Sequence, residues 1–409
     1  MTDTPYVVAL VGISQPKYKC LANAYLRESL KQDSRLPLLA VATLEFDTSI
    51  DAWWIVYDIL ALQHTPDLLC FSVYCWNASI VYEALDILHK IRPDQKIVLG
   101  GPEVGPIAEE LHERFSQLTY IVRGEGERML GDVIHALLRG GDLSILPERE
   151  PTENLDDIPF PYSDAYPPAT DGSAYIETFR GCPHKCAYCY EGKGISRIRS
   201  FSWKRIAQDI EHMATTPGMK SFSFVDSVFN LTKDRLQKLS DILAPYAERG
   251  LRLHTIEVDI ESIDDEQAQL LKRAGVVSVE TGPQTTGEKA LELCNRTLDK
   301  EAYVQGVEAC KRVGIRVEAD LIIGLPGDTV DAVLESMRFA VDADPGIIQA
   351  STLHVLPGTL LWEQADEMGL LFSEKPPHEV IETRDISYAD LRNLEIFGHA
   401  LGKLYRARL

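Results

Sequence analysis

The sequence has no apolar run long enough to cross a bilayer. Its longest, such as Val7 to Ile13 and Leu68 to Trp76, fall well short of the roughly 20 residues a spanning helix needs. It opens Met-Thr-Asp-Thr-Pro, without the basic region of a signal peptide. Positive charge is scarce: 41 Lys and Arg stand against 62 Asp and Glu, a net charge of −21. Such a surface repels phosphate backbones and anionic headgroups, which argues against nucleic-acid and membrane-surface roles. Tandem repeats and low-complexity tracts are also missing. What is there is a globular balance, 45% apolar and 25% charged over 409 residues, with ample length to bury a core. The expectation is a soluble, cytoplasmic protein with no nucleic-acid or membrane partner. In that setting its eight cysteines read as thiols or metal ligands rather than a disulfide framework.

The first 140 residues alternate strand-like and helix-like runs. Val7 to Gly12, Leu38 to Thr43, Asp67 to Val73, Lys96 to Gly100 and Tyr120 to Val122 are short apolar stretches of the kind buried in a parallel sheet. Helical segments separate them, so residues 1–140 are expected to form a doubly wound, Rossmann-like α/β domain with ligands at the carboxyl ends of its strands. Residues 141–173 carry Pro147, Pro151, Pro159, Pro161, Pro167 and Pro168 among acidic residues and read as a surface linker. Six further strand–helix steps over residues 174–360 fit a partial (β/α)6 barrel. Residues 361–409 read as a helical cap shaping the pocket.

One loop stands out. Tyr175-Ile-Glu-Thr-Phe-Arg-Gly-Cys182-Pro-His-Lys-Cys186-Ala-Tyr-Cys189 runs from a strand through a tight turn into three thiols spaced C-x3-C-x2-C. Thiolates this close can converge on one soft-metal centre. A cubane cluster has four irons, so three cysteines leave one iron open to a small molecule. A structural zinc using His184 is the competing assignment, but closed zinc sites are normally built from two separated ligand pairs, and no second pair lies nearby.

This loop resembles the signature of the radical S-adenosylmethionine (SAM) superfamily, and the later segments fall in that family's order. They are Phe224-Val-Asp226, Glu257-Val-Asp259, Val279-Glu280-Thr-Gly282-Pro-Gln284, Glu318 to Gly324-Leu-Pro-Gly327, and His354 to Thr359. The resemblance implies a [4Fe-4S] cluster on Cys182, Cys186 and Cys189, with SAM on the open iron and a 5′-deoxyadenosyl radical as product of its reductive cleavage. It also implies SAM contacts: Tyr188 against the adenine, Asp226 and Arg296 on the amino and carboxylate groups, and Glu318 on the ribose. Glu280, Gly282, Gln284 and Gly324 belong to the same expected set. The acidic strand ends could equally serve the substrate, and no catalytic residue beyond these is assigned.

The α/β domain in front of the barrel resembles that of cobalamin (B12)-binding radical SAM enzymes. The matching segments are Ser72-Val-Tyr74-Cys-Trp76-Asn77, Gly100-Gly101-Pro102-Glu103 and Arg123-Gly124-Glu125, each following a strand. Glycines there let a bulky ligand approach the backbone, and Ser72 and Asn77 offer hydrogen bonds. The expected cobalamin contacts are Pro16, Ser72, Tyr74, Asn77, Gly100, Gly101, Glu103, Gly124 and Glu125. The Ser14 to Cys20 loop holds no histidine, so no lower imidazole ligand to cobalt is expected.

The leading expectation is a methyltransferase that moves a methyl group from methylcobalamin to an unactivated carbon of a small molecule or peptide. A flavodoxin or ferredoxin would supply electrons. Three alternatives remain: a cobalamin-dependent radical SAM cyclase or ring-rearrangement enzyme, a methylthiotransferase-like enzyme, and a non-catalytic iron–sulfur protein. Methylthiotransferases carry three further cluster cysteines in the first domain. Here Cys20, Cys70 and Cys75 do not look spaced for that.

Overall fold

The computed structural model describes residues 5–16, 18–163, 169, 171–190 and 197–407, so Pro167 and Pro168 lie outside the described residues. The chain divides into two compact units. The first comprises Met1–Ala169, Leu356–Gly358 and Lys375–Pro377; the second comprises Thr170–Val355, Thr359–Glu374 and His378–Leu409.

In the first unit the strands are β1 (Tyr6–Ser14), β2 (Leu39–Asp47), β3 (Leu68–Ser72), β4 (Ile97–Gly100) and β5 (Leu118–Val122). All pair in parallel in the order 2-1-3-4-5. The helices are α1 (Leu21–Gln32), α2 (Ala52–Leu60), α3 (Ala78–Ile91), α4 (Ala108–Arg114) and α5 (Gly126–Leu138). Alternation along β1 explains the two-sided cover: Ala9, Val11 and Ile13 pack into one cluster with α2, α3 and α4. Val8 and Leu10 face the other way, into a cluster with residues of α1 and α5. The strand order reverses between β1 and β3, and in such sheets ligands enter the crevice at that point.

The Pro-rich stretch after α5 is more than a strap over the surface. Leu155 and Ile158 are fully buried, and the Thr152 amide donates to the Glu125 carboxylate at 2.8 Å. Its isolated apolar residues find a core even though the segment has no periodicity to announce it.

The second unit is an open barrel wall. Its strands are β6 (Ser173–Ile176), β9 (Ser221–Phe224), the broken pair β10 (Arg252–Leu253) and β11 (Ile256–Glu257), β12 (Ser278–Gln284), β13 (Arg316–Ile323) and β14 (Ile347–Thr352). Parallel pairing runs 6-9-10 in one sheet and 11-12-13-14 in the next, joined by a single bridge from Leu253 to Val276. The break falls at Thr255, whose φ of 49° no regular strand can accommodate. A short antiparallel ribbon of β7 (Phe179–Arg180) and β8 (Arg199–Ser200) brackets the thiol loop. The outer layer is α6 (Trp203–Thr215), α7 (Lys233–Ala247), α8 (Asp265–Arg273), α9 (Glu288–Leu293), α10 (Lys300–Arg312) and α11 (Val330–Asp342).

The terminal segment departs from the expected helical cap. Two short helices, α12 (Leu360–Glu363) and α13 (Ala365–Met368), lead into an antiparallel pair, β15 (Leu370–Phe372) with β16 (Val380–Thr383). The last helix, α14 (Tyr388–Arg406), lies on the outside of the wall. Leu391, Leu394 and Tyr405 share a core with Ile323, Ile348, Ala350 and Met337. Gly398 is required there, since a Cβ would stand 2.8 Å from that of Ala350. The outward apolar residues of β13 and β14 need a cover, and α14 supplies it.

Candidate active site

The thiol loop is held from behind by the end of β9. Asp226 is 1% exposed and accepts hydrogen bonds from the Thr178 amide (2.7 Å) and the Thr178 hydroxyl. Arg235 of α7 donates to the same hydroxyl, lies 3.8 Å from Asp226, and stacks over Phe179 and Trp203. Burial pushes the Asp226 carboxyl up to about 6, against the pull of Thr178 and Arg235. The next residue, Ser227, donates to the Gly181 carbonyl at 2.9 Å, and Gly181 turns the chain with a φ of 100°. Further along, the Ala187 amide donates to Cys294 O and the Ala187 carbonyl accepts from the Leu361 amide.

Cys182, Cys186 and Cys189 are half-buried along this loop, and among the described residues no three ligand side chains are drawn to metal-binding spacing. The donor set nevertheless has the right chemistry for an iron–sulfur cluster: three thiols on one pinned loop, with no competing carboxylate among them.

Beside the loop lies a cavity of about 600 Å³. Cys186 and Arg296 line it together. After α9, Asn295 takes a φ of 53° and turns the chain inward, so that Arg296 reaches Cys186 Sγ (3.6 Å) and Gly282 O (2.5 Å). Among the described residues its Nε is buried with no partner, as is Oε1 of Gln284. Such orphaned atoms are costly and mark where a ligand's groups fit. A guanidinium with a spare donor suits the carboxylate of an amino acid moiety such as that of SAM.

The rest of the lining is acidic. Glu280 on β12 and Asp320 on β13 line it from neighbouring strands, and Gln349 Nε2 donates to Asp320 at 3.1 Å. Burial first, and then the Glu280 carboxyl beside it, hold Asp320 well above the usual carboxylate range. Glu257, Asp259 and Glu261 continue the acidic lining.

Of the expected SAM contacts, Glu280, Gly282, Gln284 and Arg296 line this cavity. The other four do not. The oxygens of Asp226 are taken by Thr178 and face Arg235. Glu318 sits lower on β13, 3.4 Å from Arg316, and Asp320, two residues on and on the same strand face, reaches the cavity instead. Gly324, with a φ of 91°, makes room for Val380, which a Cβ would approach to 2.7 Å. Tyr188 packs partly into the core under α14, and burial raises its pKa. Sequence reasoning missed Asp320, which the period-two alternation from Glu318 could have given, and Tyr303, which sits on helix α10 with no motif to mark it.

At the carboxyl edge of the first sheet the expected cobalamin contacts are mostly spent on the protein. Asn77, fully buried, donates to Ile13 O (2.9 Å) and Ser72 O (3.1 Å) and accepts from the Tyr74 amide. The Ser72 hydroxyl donates to Asn23, whose amide in turn donates to Glu45. Neither offers the free hydrogen bond expected of it, and Glu125 is engaged by Thr152. Gly101 (φ 123°) is forced by close approach to the Val73 carbonyl, and Glu103 is 2% exposed. What faces outward is flat or bare. Trp76 is 46% exposed and stacks on Tyr74 at 4.4 Å, Pro16 is exposed, Gly100 ends β4 without crowding, and Gly124 has open space where a Cβ would be. That edge fits a large planar ligand better than a small polar one.

Comparison with known proteins completes the assignment. Residues 176–340 match the Radical SAM superfamily, and residues 48–134 match the B12 binding domain. Thiol loop, open barrel and matched segment define a radical SAM enzyme. Together the two matched segments are those that cobalamin-binding radical SAM enzymes combine, and they imply a [4Fe-4S] cluster, SAM and cobalamin as cofactors. An uncharacterized methyltransferase, PH0819, of Pyrococcus horikoshii is 26% identical over 75% of this chain and 71% of its own length. The anaerobic magnesium-protoporphyrin IX monomethyl ester cyclase of Cereibacter sphaeroides is 22% identical over 73% of this chain, which spans only 53% of that relative. The radical SAM methyltransferase TsrM of Kitasatospora setae, solved with cobalamin and a [4Fe-4S] cluster bound, shares the fold. Its TM-score is 0.73 at 22% identity, over 91% of this chain and 82% of that one. No helix among the described residues is long and apolar enough to cross a membrane.

Proposed function

We propose that this protein is a cobalamin-dependent radical SAM methyltransferase that methylates an unactivated carbon of a small molecule or peptide. The observation that carries the reading is the union, in one chain, of the matched radical SAM and B12 binding segments, alongside a methyltransferase relative along three-quarters of the chain. When bound, the reduced cluster and SAM supply a 5′-deoxyadenosyl radical, and methylcobalamin supplies the methyl group. The chain's own residues bind, orient and shield. Arg296 holds a carboxylate through its spare Nε beside Cys186, Gly282 makes room for the Gln284 side chain and the Asp320 carbonyl, and Asp226, Ser227 and Arg235 fix the root of the thiol loop. A flavodoxin or ferredoxin supplies electrons in the cytoplasm.

A cyclase acting on a porphyrin is the competing reading that the second relative raises. The cavity speaks against it: a carboxylate-lined space of about 600 Å³ repels a substrate that is itself acidic.

Anaerobically reconstituted protein incubated with SAM, a strong reductant and hydroxocobalamin tests the proposal. Formation of 5′-deoxyadenosine together with corrinoid absorbance retained through gel filtration is the expected result. Deoxyadenosine without retained corrinoid removes the cobalamin-dependent reading.

A further inference from the structure

Helix α14 is apolar on two sides. Its inward stripe, Leu391, Leu394, Gly398 and Tyr405, packs against the barrel wall. On the far side Ile396, Ala400 and Leu404 follow one another at four-residue steps, with Phe397 and Ala407 beside them. Ile396 is 67% exposed, Phe397 51% and Leu404 71%, and both alanines are exposed as well. A surface helix needs one apolar stripe to join its core. A second stripe on the opposite face calls for a second neighbour.

Charge says which neighbour. The chain as a whole stands at −21 and repels its own copies. Helix α14 is different, with three cations (Arg392, Lys403 and Arg406) against two carboxylates (Asp390 and Glu395). Their order matters as much as their number. Asp390 and Glu395 lie in the first half, where Arg392 is already held by Glu379 and Glu395. Lys403 and Arg406 fill the last turn. This order suits the helix's own dipole, and it also makes the outer face complementary to itself. Two copies laid antiparallel set the acidic half of each against the basic half of the other, whereas parallel copies oppose like charges. An antiparallel pair centred on Ala400 puts Ile396 of each copy opposite Leu404 of the other, and Glu395 near Arg406. Ala400 offers only a methyl group at the crossing, so the two helices can approach closely there.

We propose that the outer face of α14 docks a second copy of this chain, in a two-fold dimer built on an antiparallel α14–α14 contact. Ile396, Phe397 and Leu404 are its apolar anchors, and the Glu395–Arg406 pairs at its rim fix the direction. A single helix pair is a small interface, near or below the roughly 1,200 Å² at which standard ones begin, so the dimer forms at micromolar chain concentration.

The test is sedimentation velocity of the cluster- and cobalamin-loaded enzyme under nitrogen, from about 1 to 200 µM chain. The sedimentation coefficient is expected to rise with concentration toward that of a dimer. Leu404→Glu, at an exposed position outside the core, is expected to weaken association at least about tenfold. Leu371→Glu is the control: Leu371 is 57% exposed on β15, away from the helix, and its replacement is expected to leave association unchanged. Arg406→Glu alone is expected to weaken the dimer several-fold, and Glu395→Arg added to it to restore most of the loss. A wild-type chain that stays monomeric throughout overturns the proposal and gives the face to a different chain. A dimer indifferent to Leu404→Glu overturns it as well, by placing the contact elsewhere. Failure of the charge exchange to restore association overturns the antiparallel pairing. Association is read without turnover, so none of these outcomes touches the methyltransferase reading.

Discussion

The carboxyl edge of the first sheet and the barrel cavity treat their polar side chains in opposite ways. At the sheet edge Ser72, Asn77 and Glu125 are satisfied from within the protein, through Asn23, Ile13 and Thr152. In the cavity Arg296, Gln284 and Tyr303 each keep a buried polar atom without a partner among the described residues. A large ligand such as cobalamin can be held by shape, backbone and aromatic surface, so the side chains behind it are free to build the loops. A small charged ligand is recognised atom by atom, and the site must hold groups in reserve for it.

Substitutions can break this contrast. The largest effect is expected from Cys182→Ala, which should abolish cluster assembly and with it deoxyadenosine formation, measured as iron and sulfide content and by mass spectrometry. Next comes Asp226→Ala, which strands the Arg235 charge in a buried site. Stability should fall by about 3–5 kcal/mol, read as a lowered urea midpoint even in apoprotein. The contrast itself is sharpened by pairing Asn77→Ala with Arg296→Gln. The first removes three hydrogen bonds and should cost about 2–3 kcal/mol of stability. The second should cost less stability but weaken SAM binding by at least about tenfold. If Asn77→Ala lowers cobalamin retention in folded protein while leaving the urea midpoint in place, the contrast fails.

The smallest effect concerns pH. Asp328 is fully buried, accepts from Thr285 at 3.0 Å, and burial pushes its carboxyl up to about 7. A carboxyl raised in the folded state favours the protonated form there. It therefore stabilises the fold below the ordinary aspartate pKa, and that contribution is lost as pH rises through about 7. Asp328→Asn should flatten the fall in urea midpoint between about pH 5 and 7, a change on the order of 2 kcal/mol.

Much of this molecule was legible in its sequence because burial is written locally. Apolar runs such as Val7 to Gly12 mark the buried strands, alternation separates Glu318 and Asp320 from Leu321, and three thiols in one loop declare their chemistry. The partners of polar groups are set by tertiary contact and leave no such trace. Asn77 meets Ile13 across 64 residues and Thr178 meets Asp226 across 48, so a ligand-binding asparagine and a loop-building one look the same along the chain. The terminal β15–β16 pair went unread for a related reason: its strands of three and four residues are too short to show a period.

The break at Thr255 also has a mechanical meaning. Because β10 pairs only with β9 and β11 only with β12, the wall is two panels meeting at a seam spanned by the Leu253–Val276 bridge and by side-chain and loop hydrogen bonds such as Thr255 to Ser278 and Asn230 to Asp259. Panels flex where the fewest bonds must be stretched. The floor carrying Glu280 and Asp320 lies in one panel and the root of the thiol loop in the other, so the gauge between them is set across the seam and not within either panel's own ladder.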